Sequence, residues 1–468
     1  MLSSTDLRTP QKQAIKFLRD HSSALIFADP GAGKTTVVLH ALKLIKPRRT
    51  LVLATKRICQ HVWEQEATNW MGTKHLTFTQ LAGHKKVSTR INRMHDETDI
   101  HLLNYELFPW LITDYLRAQR KTLSDWYDAI VFDEVSYMKN AGSKRFKASR
   151  NQVQDIPIRI GMTGTPVGNS LLNIWGQVYI TCGEDPLGRS YSVFQKQYFE
   201  SDYMGWNWTP KEDTRSHINK RIKPYCYRIP VDPYRATNPI NYIPLTYDIP
   251  KKLRKDYEQL RDELYLEVET TGGVVEVGGQ GAVVKNKLRQ MESGALYLNP
   301  EDEEQIKHKP WVKLHDEKLI LMEELVESLQ GKPLLVFYEF RHELKRIQER
   351  FKQAVSIKEH GAIDRWNNNE IEILLAHPKS AGHGLNLHLG GAYHVLGFTL
   401  PWSLELWKQA LLGRLNRTGQ KHQVQLYYFT GPEVETQVFH SLKANRKIED
   451  DLVNKIKSAA QVLTNKLL

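Results

Sequence analysis

A glycine-rich segment that joins a buried strand to a helix constrains the fold of this chain more than any other feature. The segment ADPGAGKTT, 28–36, follows the apolar run ALIFA and precedes VVLHALKLI, the apolar start of a helix. A strand, a turn with the sequence GKT and a helix in this order form a phosphate loop, in which backbone N–H groups surround phosphate oxygens. The strict pattern begins with glycine, where this chain has the small residue Ala28. We therefore predict an α/β domain that binds a nucleotide.

The residues of this loop have distinct predicted roles. Gly31 and Gly33 allow backbone N–H groups to approach the phosphates closely. Lys34 supplies a positive charge, and the Thr35 hydroxyl can hold Mg²⁺. The predicted nucleotide-binding residues of the loop are Gly31, Ala32, Gly33, Lys34, Thr35 and Thr36.

Two adjacent carboxylates follow another apolar run further along the chain. Asp133 and Glu134 come directly after AIVF in the sequence VFDEVSYMKN. The carboxyl ends of parallel strands are where α/β sheets bind ligands. Because side chains alternate along a strand, the two acids can have different roles. We predict that Asp133 positions Mg²⁺ and Glu134 polarises the attacking water as general base, so that both join Lys34 as catalytic residues.

Short apolar, β-branched runs recur along the chain with helical stretches between them. They form a first series at 24–28, 51–54, 129–132 and 159–163, and a second at 333–338, 372–376, 394–398 and 424–429. This alternation is typical of parallel sheets with crossover helices. A chain of 468 residues is long enough for two or three domains. We predict an α/β fold with two lobes, each built on a parallel sheet.

The segment between the two series is helical and charged, and it contains the glycine cluster TGGVVEVGGQGA at 271–282. Because no GKT follows these glycines, we predict a flexible loop there and not a second phosphate loop. The predicted divisions are a first lobe at 1–235 with a helical extension from about 171, a helical protrusion and linker at 236–330, and a second lobe at 331–468. Trp206 and Trp208, in YMGWNWTP, are either packing anchors or rings that stack on a base.

Composition narrows the class of protein. A net charge of +12 and a pI near 9.3 suit a polyanionic partner such as nucleic acid. No apolar run approaches the roughly 18 residues of a membrane span, and the N-terminus lacks the apolar stretch of a secretory signal, so we expect a cytoplasmic protein. Cys59, Cys182 and Cys226 form no CxxC pair, which favours buried free thiols over a disulfide framework or a zinc site.

Further motifs occur in a set order along the chain. They are LRTPQKQAIKFL near the N-terminus, LLNYELF at 102–108, MTGTPVGN at 162–169, HPKSAGHGLNLH at 377–388 and WKQALLGRLNRTGQ at 407–420. Together with the phosphate loop and DEVS, they resemble the Swi/Snf-type family of superfamily 2 helicase-like ATPases. The resemblance extends from Leu7 to about Phe429. It implies two RecA-like lobes that use ATP and Mg²⁺.

The resemblance assigns roles to residues of the first lobe. It implies that Gln11 reads adenine and that the TGTP element, with Thr163, Gly164 and Thr165, couples the state of ATP to lobe closure and DNA contact. Ser136 stands where DEAH and DEGH members of the family have histidine. A hydroxyl can still hydrogen-bond at that position, so we predict a coupling role for Ser136.

In the second lobe, the resemblance singles out one glycine and two arginines. Gly384, in the GLNL element, joins the predicted nucleotide-binding residues. Arg414 and Arg417 lie three positions apart, which places them on one face of a helix. The resemblance implies that both reach the ATP phosphates across the cleft between the lobes and act as catalytic residues. A solvated helix face or a clamp for DNA phosphates is the other interpretation.

The resemblance implies an ATP-driven motor that tracks duplex DNA with little sequence preference. The sequence leaves two alternatives open, a strand-separating DNA or RNA helicase of superfamily 2 and a DNA-binding scaffold with weak ATPase activity. The compact layout is similar to that of phage and prophage members of the family. We therefore expect a bacterial or phage-infected cytoplasm as the setting, with a separately encoded nuclease or a replication or recombination protein as a candidate partner.

Overall fold

The computed structural model describes residues 2–28, 31–84, 86–168, 170–203, 208–230, 239–263, 265–270, 273–278, 282–298, 310–381, 385–416 and 420–446. The chain forms two compact units, Met1–Pro233 and Tyr234–Ala444. Each unit contains a large parallel sheet with helices, so the predicted α/β fold with two lobes is confirmed. The finer division predicted from the sequence, with a separate segment 236–330, stays a prediction.

In the described residues, seven strands make up the sheet of the first unit. They are Ser23–Phe27 (β1), Thr50–Ala54 (β2), Phe78–Gln80 (β3), Ile100–Asn104 (β4), Ala129–Asp133 (β5), Ile158–Thr163 (β6) and Cys226–Arg228 (β7). Their order is β3-β4-β2-β5-β6-β1-β7, and all neighbours are parallel. Because β6 lies between β1 and β5, the phosphate loop after β1 and the acids after β5 leave the sheet at the same edge.

The inner strands of the first sheet are buried on both faces. Alternate residues of β1 belong to different hydrophobic clusters, with Leu25 and Phe27 in one and Ala24 and Ile26 in the other. This period of two follows from the pleat, which points successive side chains to opposite faces. Helices cover both faces, which explains why the strands are nearly continuous apolar runs.

The sheet of the second unit contains six strands within the described ranges. They are Asn241–Thr246 (β8), Leu334–Phe337 (β9), Ala354–Ser356 (β10), Ile373–Ala376 (β11), His394–Gly397 (β12) and Gln425–Thr430 (β13). The order β8-β13-β12-β9-β11-β10 is parallel throughout. Strand β8 lies within 236–330, for which the sequence predicts a helical protrusion, and adds an edge strand to this sheet.

The first unit contains the helices that carry residues of the nucleotide-binding site. The α-helices there are Thr9–Asp20 (α1), Lys34–Ile45 (α2), Lys56–His61 (α3), Trp63–Asn69 (α4), Val87–Met94, Phe108–Trp110, Leu123–Trp126, Lys144–Gln154, Ile174–Cys182, Tyr191–Tyr198 and Thr214–Ile222. Short 3₁₀ turns at Ser4–Asp6, Tyr105–Leu107, Val135–Met138, Leu171–Asn173 and Lys223–Tyr225 and a π-helical segment at Leu111–Leu116 connect them.

The second unit contains its own set of helices. They are Lys251–Glu263, Ala282–Glu292, Glu317–Leu329, Arg341–Arg350, Ala362–Asn367, Pro378–Ala381, Leu404–Leu406 and 434–446, with a π-helical segment at Trp407–Leu412. In the described parts of both units, no helix is long and apolar enough to cross a membrane.

Two short hairpins lie outside the large sheets. Part of the glycine cluster forms a strand, Gly273–Gly278, which pairs antiparallel with Tyr265–Thr270, so the prediction of a flexible loop was wrong for these residues. The β-branched residues Val274, Val275 and Val277 favour a strand and outweigh the glycines at its two ends. Trp208 lies in a short hairpin with Phe199–Ser201 and packs against the core, whereas Trp206 lies outside the described residues.

The three cysteines are free and buried, as predicted.

Candidate nucleotide-binding site

The phosphate loop connects β1 to α2, as the sequence predicts. Gly31 and Gly33 have φ angles of 80° and 82°, in the left-handed region that glycine adopts without steric cost. Helix α2 begins at Lys34, whose Nζ donates to the carbonyl of Ala28 at 2.7 Å. The lysine side chain therefore lies back over the loop, where phosphate oxygens bind in loops of this type.

Gln11 connects the first helix to this loop. Its Oε1 accepts a hydrogen bond from the backbone N–H of Arg8 at 2.9 Å, and its Nε2 donates to the carbonyl of Ala32 at 3.3 Å. The Arg8 guanidinium donates to the same carbonyl at 2.7 Å. A Cβ atom on Gly33 would lie 2.3 Å from Nε2 of Gln11, so a larger residue there would displace the Gln11 amide. The predicted nucleotide-binding residues of α1 and of the loop thus lie together.

Asp133 ends β5 and is nearly buried. Its Oδ2 accepts a hydrogen bond from the indole Nε1–H of Trp63 at 2.9 Å. Burial raises the pKa of the Asp133 carboxyl, and the hydrogen bond from Trp63 and the positive charge of Lys34 oppose that rise. The hydrogen bond from Trp63 and the charge of Lys34 therefore favour the ionised form of Asp133.

Glu134 adopts a backbone conformation that is rare for its residue type. Its φ of 72° and ψ of 69° lie in the left-handed region, and its side chain is buried. Its Oε1 accepts hydrogen bonds from the hydroxyl of Ser136 at 3.1 Å and from the hydroxyl of Thr163. Strained backbone of this kind persists where the surroundings impose it, and it occurs often at functional sites.

Tyr105 supports the backbone of both acids. Its hydroxyl lies 3.3 Å from the carbonyl oxygen of Asp133 and 3.2 Å from that of Glu134. Its ring stacks on Tyr137 with centroids 4.8 Å apart. Burial, and then the two neighbouring carboxylates, raise the pKa of Tyr105, so the hydroxyl stays protonated as a donor.

The TGTP element follows β6, the strand next to β5. The backbone N–H of Thr165 donates to the hydroxyl of Thr163 at 2.9 Å, and Gln177 Nε2 donates to the carbonyl of Pro166 at 2.7 Å. The predicted coupling residues Ser136, Thr163, Gly164 and Thr165 therefore lie beside Glu134 or in the turn that begins there. Their coupling role stays a prediction.

The residues after β1 and β5 fit a magnesium ion. Thr35 is half-buried at the start of α2, and the Thr36 hydroxyl donates to the Glu66 carboxylate. In the described ranges, no three histidine, cysteine or acidic side chains form a cluster suited to a metal. Mg²⁺ typically binds one or two protein oxygens together with substrate phosphates, so the hydroxyl of Thr35 and the carboxylate of Asp133 are a suitable pair.

In the second unit, Arg414 is buried among its own neighbours. Its Nε donates to the carbonyl of Gln409 at 2.6 Å and its Nη1 to the carbonyl of Leu385 at 2.9 Å. These bonds connect the Trp407–Leu412 segment to Leu385, within the GLNL element. Arg417 and Gly384 lie outside the described residues. The predicted roles of these three residues stay predictions.

Sequence reasoning missed several side chains that organise the site. The motifs assign no role to Arg8, Trp63 or Glu66, and the LLNYELF motif contains Tyr105 without giving it one. The available signal was the segment HVWEQEATNW after β2, which places two tryptophans and a glutamate at helical spacing. A buried tryptophan needs an acceptor for its N–H, but the sequence alone does not say which one.

Comparisons with known proteins agree with the motifs. Residues 10–234 match the family model described as the SNF2-related domain. A putative protein of Acyrthosiphon pisum secondary endosymbiont phage 1 is 27% identical over 96% of this chain and 98% of its own length. An uncharacterized ATP-dependent helicase of Mycoplasma genitalium is 24% identical over 90% of this chain, which spans 40% of that protein.

More distant similarities extend across nearly the whole chain. A DNA repair and recombination protein RAD54-like of Drosophila yakuba is 21% identical over 99% of this chain and 65% of its own length. The solved Sulfolobus solfataricus SWI2/SNF2 ATPase core in complex with dsDNA shares 20% identity and a TM-score of 0.41, covering 96% of this chain and 92% of its own. The match of residues 10–234 to the SNF2-related domain confirms the resemblance to Swi/Snf-type ATPases inferred from the motifs.

Proposed function

We propose that this chain is an ATP-driven motor that hydrolyses ATP with Mg²⁺ while it tracks duplex DNA. The observation that carries the proposal is the setting of Glu134, a buried carboxylate held by two hydroxyls at the sheet edge from which the phosphate loop also leaves. A purely structural glutamate has no need of the left-handed backbone found here.

The residues of the first unit divide the hydrolytic work among them. The loop N–H groups and Lys34 bind the phosphates, and Gln11 contacts the adenine ring of ATP. Glu134 orients a water molecule and accepts its proton as the oxygen attacks the terminal phosphorus and the bond to ADP breaks. Thr35 and Asp133 would hold Mg²⁺, which would supply positive charge to neutralise the phosphates.

The hydroxyls around Glu134 fix the orientation of the general base. Because Ser136 and Thr163 both donate to Oε1, the carboxylate is held by one contact from the turn after β5 and one from the end of β6. Thr163 begins the TGTP turn, so a shift of that turn changes the position of the base. This arrangement supports the proposal that Thr163, Gly164 and Thr165 couple hydrolysis to movement.

Several observations support DNA as the track. The net charge of +12 favours a polyanion, and one relative is named a DNA repair and recombination protein. A motor needs contacts that repeat at each step, which backbone phosphates provide without sequence information. We propose Arg414 and Arg417 as contacts for ATP phosphates, Gly384 as part of the nucleotide site, and a separately encoded DNA-processing protein as a partner in the cytoplasm.

The test is ATP hydrolysis measured without nucleic acid and with duplex DNA, single-stranded DNA or duplex RNA. We expect strong stimulation by duplex DNA in the wild type and none in Glu134→Gln, which keeps the size of the side chain but not its basicity. Glu64→Gln, an exposed change on α4, is the matched control and should behave as wild type. A wild type that hydrolyses no ATP under any of these conditions would contradict the proposal and favour a scaffold.

Strand separation is the second candidate, favoured because two Mycoplasma relatives are named ATP-dependent helicases. The two functions differ in what the motor displaces. A translocase displaces a third strand from a triplex and leaves forked duplex DNA paired, whereas a helicase unwinds the fork. Stimulation by single strands or by RNA in the hydrolysis assay would also favour the helicase.

A further inference from the structure

Helix α4 contacts two elements of the proposed ATP site in the first unit, strand β5 and helix α2. Trp63 and Glu66 lie in this helix, and Trp70 directly follows it. The three residues have the spacing i, i+3 and i+7 of one helix face. Trp63 and Trp70 are buried, and Glu66 is half-buried between them in sequence. None of the three was assigned a role in hydrolysis by the motifs.

The first contact of this face is with the acid strand. Nε1 of Trp63 donates to Oδ2 of Asp133 at 2.9 Å, and Trp63 itself is fully buried. A rigid indole, packed on all sides, offers its N–H in one direction only. Among the residues that the structure describes, the other oxygen of this carboxylate, Oδ1, accepts no hydrogen bond.

Glu66 contacts the helix that follows the phosphate loop and is also held by Trp70. The Thr36 hydroxyl donates to the Glu66 carboxylate, and Nε1 of Trp70 donates to Oε1 of Glu66 at 3.1 Å. Thr36 is the neighbour of Thr35, the proposed hydroxyl ligand of Mg²⁺. One short helix therefore contacts both elements that carry the proposed magnesium ligands.

We propose that Trp63 is a positioning residue that holds the Asp133 carboxylate by Oδ2 and presents Oδ1 to the magnesium ion that accompanies ATP. This inference rests on the proposed ATP hydrolysis. Partners that orient the ligands of a metal commonly affect metal affinity or activity by about 10- to 100-fold. A tryptophan that only packs in the core also needs an acceptor for its N–H. That acceptor could be any carbonyl and would not have to be the Asp133 carboxylate.

The test compares Trp63→Phe with Trp175→Phe. Each substitution removes one indole N–H and keeps an aromatic ring, but Trp175 donates to the carbonyl of Gly188 at 3.1 Å, away from the acids. Steady-state hydrolysis is measured over a range of Mg²⁺ and ATP concentrations. Binding of a fluorescent ATP analogue is measured with and without Mg²⁺, and thermal unfolding reports folding.

For Trp63→Phe we expect an increase of about 10- to 100-fold in the Mg²⁺ concentration for half-maximal hydrolysis, or an equivalent loss of kcat. Affinity for the nucleotide without Mg²⁺ should match that of the wild type, because the loop is intact. Trp175→Phe should leave both quantities unchanged. An active wild type with identical Mg²⁺ profiles in both variants would overturn the role of Trp63, whereas an inactive wild type would overturn the proposed hydrolysis instead.

If Trp63→Phe does not fold, a second measurement follows the Trp63 side chain itself in the folded protein. With ¹⁵N-labelled indoles, the Nε1–H resonance of Trp63 should be the one displaced by Asp133→Asn, which removes the charge of its acceptor. In the wild type bound to a non-hydrolysable ATP analogue, the same resonance should move when Mg²⁺ is added. A resonance that responds to Asp133→Asn but not to Mg²⁺ would show that Trp63 only packs.

Discussion

The hydroxyl of Thr163, at the end of β6, donates a hydrogen bond to the carboxylate of Glu134, directly after β5. The two strands are parallel neighbours, with Asp133 paired with Met162. Two motifs separated by about thirty residues, DEVS and TGTP, therefore meet in one contact between side chains. The same hydroxyl accepts the backbone N–H of Thr165, so it also sets the turn that follows.

Thr163→Val should slow hydrolysis with little effect on nucleotide binding. Valine keeps the shape of the side chain but no longer donates to Glu134, so the general base loses one of its two hydroxyl contacts. Because misplacement of a reacting group is costly, we expect kcat to fall roughly 10- to 100-fold. Thr163→Ser, which keeps the hydroxyl, is the control. Equal kcat values for the two variants would contradict this orienting role.

Gly33→Ala should abolish nucleotide binding. The new Cβ would lie 2.3 Å from Nε2 of Gln11 and would displace that amide from its hydrogen bond to Ala32 of the loop. Gly188→Ala is a matched control, since Gly188 has a similar φ of 81° but open space where a Cβ would be. Both variants should lose about 1–2 kcal/mol of stability from the left-handed backbone. Binding of a fluorescent ATP analogue should fail only in Gly33→Ala.

The sequence predicts the interior of both sheets better than their edges. All eight apolar runs are strands, because central parallel strands are buried on both faces and read as continuous apolar segments. Five strands lie outside these runs: β3, β7, β8 and β10 are the outer strands of the two sheets, and β4 is an inner strand. Sequences such as FTQ and CYR are short and mixed, since an outer strand is less enclosed.

For the site, the sequence predicts residues that belong to consecutive motifs better than residues that act through contacts with distant parts of the chain. Residues such as Lys34 and Asp133 could be predicted because a phosphate loop and an acid pair are encoded in consecutive positions. Trp63 and Tyr105 could not, because each acts through a contact with a strand far along the chain. The left-handed conformation of Glu134 also has no signal in its residue type.

Lys318→Met should strongly destabilise the second unit. Lys318 and Glu435 form an ion pair with side-chain exposures of 1% and 4%, and Nζ also donates to the carbonyl of Phe398 and the hydroxyl of Thr399. Removing the lysine leaves a buried carboxylate without its cation, which typically costs about 3–5 kcal/mol. Denaturant unfolding, followed by a probe in the second unit, measures the loss.

The control for this ion pair is an exposed one in the same unit. Arg350 and Glu323 have side-chain exposures of 32% and 45%, so Arg350→Met should cost no more than about 1 kcal/mol. The double variant Lys318→Met with Glu435→Gln should be more stable than the sum of the two single losses predicts, because no unpaired charge remains. Additive losses would show that the pair itself contributes little.

His342→Phe should make the protein less sensitive to acid. His342 is fully buried against the ring of Phe340, and among the described residues neither ring nitrogen has a hydrogen-bond partner. Burial lowers its pKa from 6.5 to about 4, with Arg346 and Lys318 adding to the effect and Glu343 opposing it. The folded state therefore holds a neutral imidazole.

The sign of the effect follows from proton uptake. Below pH 6.5 the unfolded chain binds a proton that the folded chain does not bind until about pH 4, so stability falls as the pH falls through this window. Between pH 7.5 and pH 5 the loss from this one residue is about 2 kcal/mol. Phenylalanine does not titrate, so the variant should lose less stability over that range, as measured by denaturant unfolding at both pH values. Identical losses in the variant and the wild type would mean that His342 is not a source of acid sensitivity.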